Sequence, residues 1–212
     1  MSANHVDVLV ENGTKRCFAR ALDWPGWTRS GKDEAAAVEA LLSYAARYGV
    51  VAERAGLKLP ARPEVDVLER VTGGKSTDWG APGELGTSDH EAFTVAGRRR
   101  SVALLQAAWT VLDETAASSA EELRKGPRGG GRDRTKMLAH VLDAEAEYAR
   151  RIGVRIKMAA PDDPVGVALN RTAIVSGLHL DRSPGAWPLR YFVHRTAWHV
   201  LDHAWEMQDR QP

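Results

Sequence analysis

The sequence predicts two parts of different class. A small α+β module of order ββ(β)αβ occupies residues 1–75, and an all-α four-helix bundle occupies residues 97–212, with residues 76–96 as a linker. Apolar residues alternate with a period of two before about residue 95 and recur at intervals of three and four after it. The stretch from Gly73 to Thr87, with five glycines and Pro82, fits neither period.

Val6, Val8 and Val10 alternate with Asp7, Leu9 and Glu11, which predicts a first strand ending at Asn12-Gly13. Asn-Gly between two strand-like runs signals a tight hairpin, whose two turn positions need positive φ. The return run, Lys15 to Leu22, puts Phe18 and Leu22 on one face with Arg16 and Arg20, and Cys17, Ala19 and Ala21 on the other. Asp23-Trp24-Pro25-Gly26 turns the chain into a short extension reaching Ser30-Gly31. Asp33 is a candidate cap for a helix carrying Val38, Leu41, Leu42, Ala45 and Tyr48, with Gly49 or Gly56 as its end. Val65 to Val71 alternates again and predicts the last long strand of the module.

The run Phe18 to Ala35, FARALDWPGWTRSGKDEA, resembles the signature stretch of HicB-like domains. In that family a strand leads through Pro-Gly and a second strand to a Gly-x-acidic-x-Ala helix start, on a partial ribonuclease-H-like fold. The resemblance covers residues 5 to 72. Such antitoxins carry a DNA-binding segment after the module, and this chain departs from them in having none there. The resemblance therefore implies a packing or dimerisation element, with an antitoxin-like contact surface as the other reading.

From residue 97, Val102, Leu105, Trp109, Leu112 and Ala116 form one stripe of a helix expected to reach about Lys125. Gly126 to Gly131 breaks it. Asp133 starts a second helix with Met137, His140, Val141, Ala144 and Tyr148 along one side. Asp162-Asp163-Pro164 opens a third, with proline at the first helical position and Gly166 and Gly177 inside it. A fourth runs from Pro184 or Pro188 to Arg210. Four amphipathic stripes of this size are buried economically as a bundle.

Composition narrows the function classes. With 29 basic and 28 acidic residues the net charge is +1, which offers no overall basic surface for nucleic acid. A single cysteine, Cys17, excludes an internal disulfide framework and a cysteine-based zinc site. No leader-like apolar run opens the chain, and no stretch approaches the roughly 18 apolar residues of a membrane span. A soluble cytoplasmic protein with no membrane partner is expected.

The seven histidines carry the functional signal. His5, His90 and His179 fall in a terminus, the linker and a helix end. His199 and His203 are four apart, about 40° around a helix axis and one turn along it, so both rings reach one point. They share their stripe with Phe192, Thr196 and Met207, and His140 shares its own with Met137, Val141 and Ala144. Three imidazoles from two helices suit zinc, nickel, copper or iron and leave a coordination position open. The same spacing also fits packed, hydrogen-bonded histidines. His194 lies about 140° from His199 and falls outside the set.

The stretches Lys136 to Glu145, with His140, and Arg195 to Glu206, with Trp198-His199 and His203, resemble the DinB-like superfamily. That family is a metal-binding four-helix bundle with one histidine on helix two and a Trp-His-x-x-x-His motif on helix four. The resemblance spans residues 97 to 210 and implies that His140, His199 and His203 hold a divalent metal, zinc or nickel first. It further implies a metal-dependent transferase using a low-molecular-weight thiol of the mycothiol or bacillithiol type as cosubstrate. The sulfur would come from that cosubstrate, since Cys17 lies in the other module, and no catalytic side chain is assigned. A metal-dependent hydrolase with Asp202 or Glu206 as base and a non-enzymatic, stress-related interaction protein are the alternatives.

Asp143 and Asp202 are candidates to accept the outer N–H of a ligating imidazole. Glu145, five residues past His140, points elsewhere. Trp198, Leu201 and Trp205 form a separate stripe that reads as core and would permit a homodimer. The basic, glycine-rich loop Gly126–Gly131 lacks the Gly-Lys-Ser/Thr ending of a nucleotide loop, and Arg98-Arg99-Arg100 reads as a solvated helix start.

Overall fold

The structure, a computed structural model, describes residues 4–126, 131–180 and 183–212. The chain begins as a mixed four-stranded sheet and continues as a mostly helical region. Strands β1 (His5–Asn12), β2 (Cys17–Ala21) and β3 (Thr28–Gly31) are followed by helices α1 (Glu34–Ser43) and α2 (Ala45–Arg54), then β4 (Glu64–Thr72). Next come the short α3 (Lys75–Trp79) and a 3-10 turn at Thr87–His90. The long helices are α4 (Val95–Ser118), α5 (Arg134–Arg151), α6 (Pro164–Leu178) and α7 (Leu189–Asp209).

The sheet order is β3-β2-β1-β4, with β4 parallel to β1 and the other pairs antiparallel. A parallel return needs a crossover, and α1 with α2 supplies it. Asp33 caps α1 by accepting a hydrogen bond from Ala36 N at 2.8 Å. The expected single helix breaks at Tyr44, whose ring packs edge-on to Trp205 of α7 (5.1 Å) under the Arg29 guanidinium (3.9 Å). Contacts with a distant helix thus override local helix propensity.

The Asn12-Gly13 hairpin also differs from expectation. Asn12 pairs with Cys17, so the loop is four residues long, and Gly13 has no positive φ. Asp78 of α3 accepts hydrogen bonds from Thr14 Oγ1 and Lys15 N, which opens the loop. Glycine is needed at 13 for space: a Cβ there would meet Asp78 Oδ1 at 2.4 Å.

One sheet face, with Val8, Val10, Ala19 and Ala21, is covered by α1 and α2; there Trp27 stacks on Tyr48 at 5.3 Å and donates to the Leu41 carbonyl. Along β1 and β2 the second face is buried too, which two-period alternation did not predict, while β4 keeps alternate residues exposed. Phe18 meets Trp198 of α7 edge-on at 6.1 Å. Arg20 pairs with Asp89 at 2.6 Å, both side chains buried. Glu11 accepts from Thr77 Oγ1, Gly83 N and Glu84 N, and Glu69 from Thr87 N and Ser88 N. Residues 76–96, read as a linker, are thereby fastened to the sheet and carry most of α3 and the 3-10 turn.

α4 and α5 both pack along α7, α6 touches α4, and α2 packs on α4. α4 stops at Ser118 rather than near Lys125. The hydroxyls of Ser118 and Ser119 bond back to carbonyls of Glu114 and Thr115, and Ser119 is extended. Such bonds compete with the helix ladder. α7 is buried almost all round, because the sheet lies on one side and α4 and α5 on the other. Buried side chains of both parts form one continuous core. No helix among the described residues is long and apolar enough to cross a membrane. Pro127 to Gly130 of the glycine-rich loop lie outside the described residues.

Candidate metal centre

α5 and α7 lie side by side, and each turns histidines into the seam. Met137, Val141, Glu145 and Ala149 bury one face of α5, with His140 at its margin. His199 and His203 sit one turn apart on α7, 8% and 9% exposed. One ligand nitrogen from each of His140, His199 and His203 falls in a group whose members are all within 4.8 Å of one another. The three histidines therefore lie close enough to hold one metal ion. Nε2 of His199 and Nε2 of His140 are 3.2 Å apart. Bonds of about 2.05 Å at tetrahedral angles put ligand nitrogens about 3.3 Å apart, so this spacing fits a shared ion. In the metal-free protein the same contact is a ring-to-ring hydrogen bond.

Electrostatics keep the rings in ligand form. Burial is the main cause that pushes His199 well below the ordinary imidazole value, helped by His203, His140, Arg195 and Arg132. His140 is lowered by burial first, then by Arg132 and His203. Neutral imidazoles present lone pairs, as a metal requires. His203 Nδ1 lies 2.9 Å from Glu206 Oε2, and this hydrogen bond is the first cause holding the Glu206 carboxyl below its usual range. Arg210 Nη2 holds the other carboxylate oxygen at 3.1 Å. The arrangement fixes the proton on Nδ1 and frees Nε2 of His203. His199 Nδ1 is buried and without a partner among the described residues.

Aromatic and cationic groups flank the cluster. The Tyr148 ring stands edge-on to His199 at 5.8 Å and is backed by Trp187 at 5.3 Å. Arg195 lies over both Tyr148 and Trp198, and donates to the Pro82 carbonyl.

The two aspartates do not take the expected places. Asp202 points away from the cluster, accepting from Arg29 of β3 at 2.8 Å. Asp143 is exposed and acts on His140 only through its charge. The carboxylate on a ring is Glu206 instead. Its signal was legible as the i+3 position from His203, on the neighbouring face of one helix. Glu145 is buried against α4, accepting from the Trp109 indole, and burial pushes it up to about 7. His194 is buried elsewhere, facing the Leu22 carbonyl. Trp198 and Trp205 pack on Phe18 and Tyr44, so the stripe that would permit a homodimer is covered by the chain's own sheet module. Arg100, expected to be solvated, lies over Trp24 at 4.0 Å.

Comparison with known proteins finds no matching family model, no matching curated protein and no matching solved structure. Three imidazole nitrogen donors and an anchored outer carboxylate suit an ion with a position open to a further ligand.

Proposed function

We propose that this protein is a metal-dependent enzyme of DinB-like type, a thiol S-transferase working at a three-histidine site. The supporting observation is the convergence of His140 with His199 and His203. Nitrogen-only ligation favours zinc or nickel over magnesium or calcium. In this reading α4 to α7 are the four-helix bundle of that family and residues 5–72 its HicB-like addition, whose sheet covers the tryptophan face of α7.

A divalent ion supplies Lewis acidity that keeps a small thiol ionised near neutral pH. The protein's own part is positional. Glu206 orients the His203 ring, the buried rings of His199 and His203 exclude water, and Arg195 and Arg132 add positive charge that favours an anionic partner. Cys17 takes no part: it is buried on the sheet, its thiol donating to Asn12 Oδ1. The hydrolytic alternative needs a free base, and both Glu206 oxygens and an Asp202 oxygen are already engaged. The interaction-protein alternative loses force because β1 and β2 are covered on both faces from within the chain, although β4 keeps alternate residues exposed.

Metal analysis of the wild type beside His203→Ala tests the ligand set. The expected result is about one ion per chain and its loss in the variant; equal metal content in both refutes the assignment. Turnover of a chlorodinitrobenzene electrophile with mycothiol or bacillithiol tests the reaction. Full metal occupancy without turnover on either thiol removes the transferase reading and leaves the metal site standing.

A further inference from the structure

The seam that holds the histidine cluster continues past it. His140, Ala144 and Tyr148 follow one another by about one turn along a stripe of α5, and His203, His199 and Arg195 do so along α7. The two stripes run in opposite senses. His140 meets His203 and His199, while Tyr148 meets His199 at 5.8 Å and carries Arg195 over its ring at 5.4 Å. His199 and His203 are buried, whereas His140, Ala144, Tyr148 and Arg195 each keep part of their surface in solvent. The open lip of the seam therefore passes the cluster and ends at Arg195.

Arg195 is held in place without being used up. From Tyr191 to Leu201 every other residue of α7 is buried. Its guanidinium lies over the Tyr148 and Trp198 rings, 4.7 Å from the centre of the second, and Nη1 donates to the Pro82 carbonyl. Nε and Nη2 have no partner among the described residues and keep contact with solvent. These two donors form one edge of the guanidinium fork, the edge by which Arg70 holds both oxygens of Glu34 at 3.0 and 2.8 Å. The free edge of Arg195 is thus shaped for a carboxylate.

The charge balance along the seam calls for an anion. Glu206 is taken by Arg210, Asp202 by Arg29, and Glu147 by Arg150 and Arg151, while Asp143 is exposed. Arg195 and the exposed Arg132 have no carboxylate partner among the described residues, and both act on His199 through their charge. A divalent ion on neutral rings adds two more positive charges to a half-buried place, where unpaired charge is costly. A ligand with two negative groups, one for the ion and one for Arg195, offsets both.

We infer that Arg195 is the specificity-determining residue of this site, holding the carboxylate of a small thiol through Nε–H and Nη2–H while the sulfur faces the histidine cluster. The cosubstrate class is a carboxylate-bearing thiol. Arg195 stands about one turn from His199, roughly 5.4 Å along the axis, and a two-carbon chain between sulfur and carboxylate covers that separation. The inference rests on the metal-dependent thiol reading proposed for the protein.

Cobalt(II) bound at the three histidines gives a thiolate-to-metal absorption band that reports thiol binding without turnover. Near neutral pH, 3-mercaptopropionate is expected to raise this band at concentrations at least about tenfold lower than its methyl ester does, although ionisation of the thiol alone favours the ester. Arg195→Met keeps an apolar stem beside the two rings; it should take up cobalt as the wild type does and bind acid and ester alike. Arg195→Lys is expected to recover part of the preference, because the charge returns without the fork. Equal affinity for acid and ester in the wild type, or an unchanged preference in Arg195→Met, overturns the inference and leaves the metal and thiol reading standing. No cobalt uptake, or no band with either compound, overturns that reading and the inference together.

Discussion

Glu206 and His203 are joined by a 2.9 Å hydrogen bond between a carboxylate oxygen and ring nitrogen Nδ1. Removing this partner leaves all three rings in place but releases the tautomer and tilt of His203. Glu206→Ala is expected to weaken metal binding about 10- to 100-fold, the usual cost of losing an outer-shell carboxylate. Glu206→Gln keeps an acceptor and should lose less. Competition against a chromogenic chelator measures both, and wild-type affinity in Glu206→Ala would mean that the carboxylate has no part in the site.

Two buried groups give stability opposite dependence on pH. The folded value of His194, about 3, lies below its unfolded value, so its contribution is full above about pH 6.5 and is lost as pH falls towards 3. Glu145 is raised from 4.5 to about 7, so its contribution is full below 4.5 and is lost as pH rises through 7. Glu145→Gln, which still accepts from the Trp109 indole, is therefore expected to be more stable than wild type at pH 8 by up to about 3 kcal/mol. The gain should shrink at pH 5.5. Urea unfolding at both pH values checks this, and an identical gain at the two would rule out Glu145 ionisation as the cause.

Arg20 and Asp89 form an ion pair with almost no solvent contact. Deleting one member strands the other, at a cost of about 3–5 kcal/mol. Asp89→Ala is expected to show that loss in denaturant unfolding, with Asp89→Asn intermediate because Gly86 N keeps its acceptor. A loss below about 1 kcal/mol would mean that solvent or another group reaches Arg20.

Gly26 carries φ +92° where the turn after β2 meets α7, and a Cβ there would stand 2.7 Å from Leu201 Cδ1. Backbone strain and overpacking combine, and Gly26→Ala is expected to destabilise by about 2–3 kcal/mol. The thermal midpoint measures it. An unchanged midpoint would show that the turn and α7 separate easily.

Much of the architecture was readable because it is periodic or punctuated. Asp33 caps a helix as expected, Pro164 starts one, and the His199–His203 spacing carries both rings to one side. The errors share a physical origin. Asn12-Gly13 opens into a longer loop because Asp78 pulls on it from 64 residues away, and the first helix breaks at Tyr44 because Trp205 and Arg29 claim that ring. Asp202 is a candidate partner of the histidines by its place in the chain, yet Arg29 takes it across the seam between the two parts.

What the sequence by itself determined is local: the strand and helix periods, the caps, and two histidines one turn apart on a single helix, since these depend on bond geometry within a few residues. Only the tertiary structure brings the ring of His140 beside them, sets Glu206 rather than Asp202 against one of the rings, and spends the tryptophan face of α7 on the sheet. Those outcomes depend on how far α5 and the sheet are rotated about α7, and that rotation is set by packing the whole core at once.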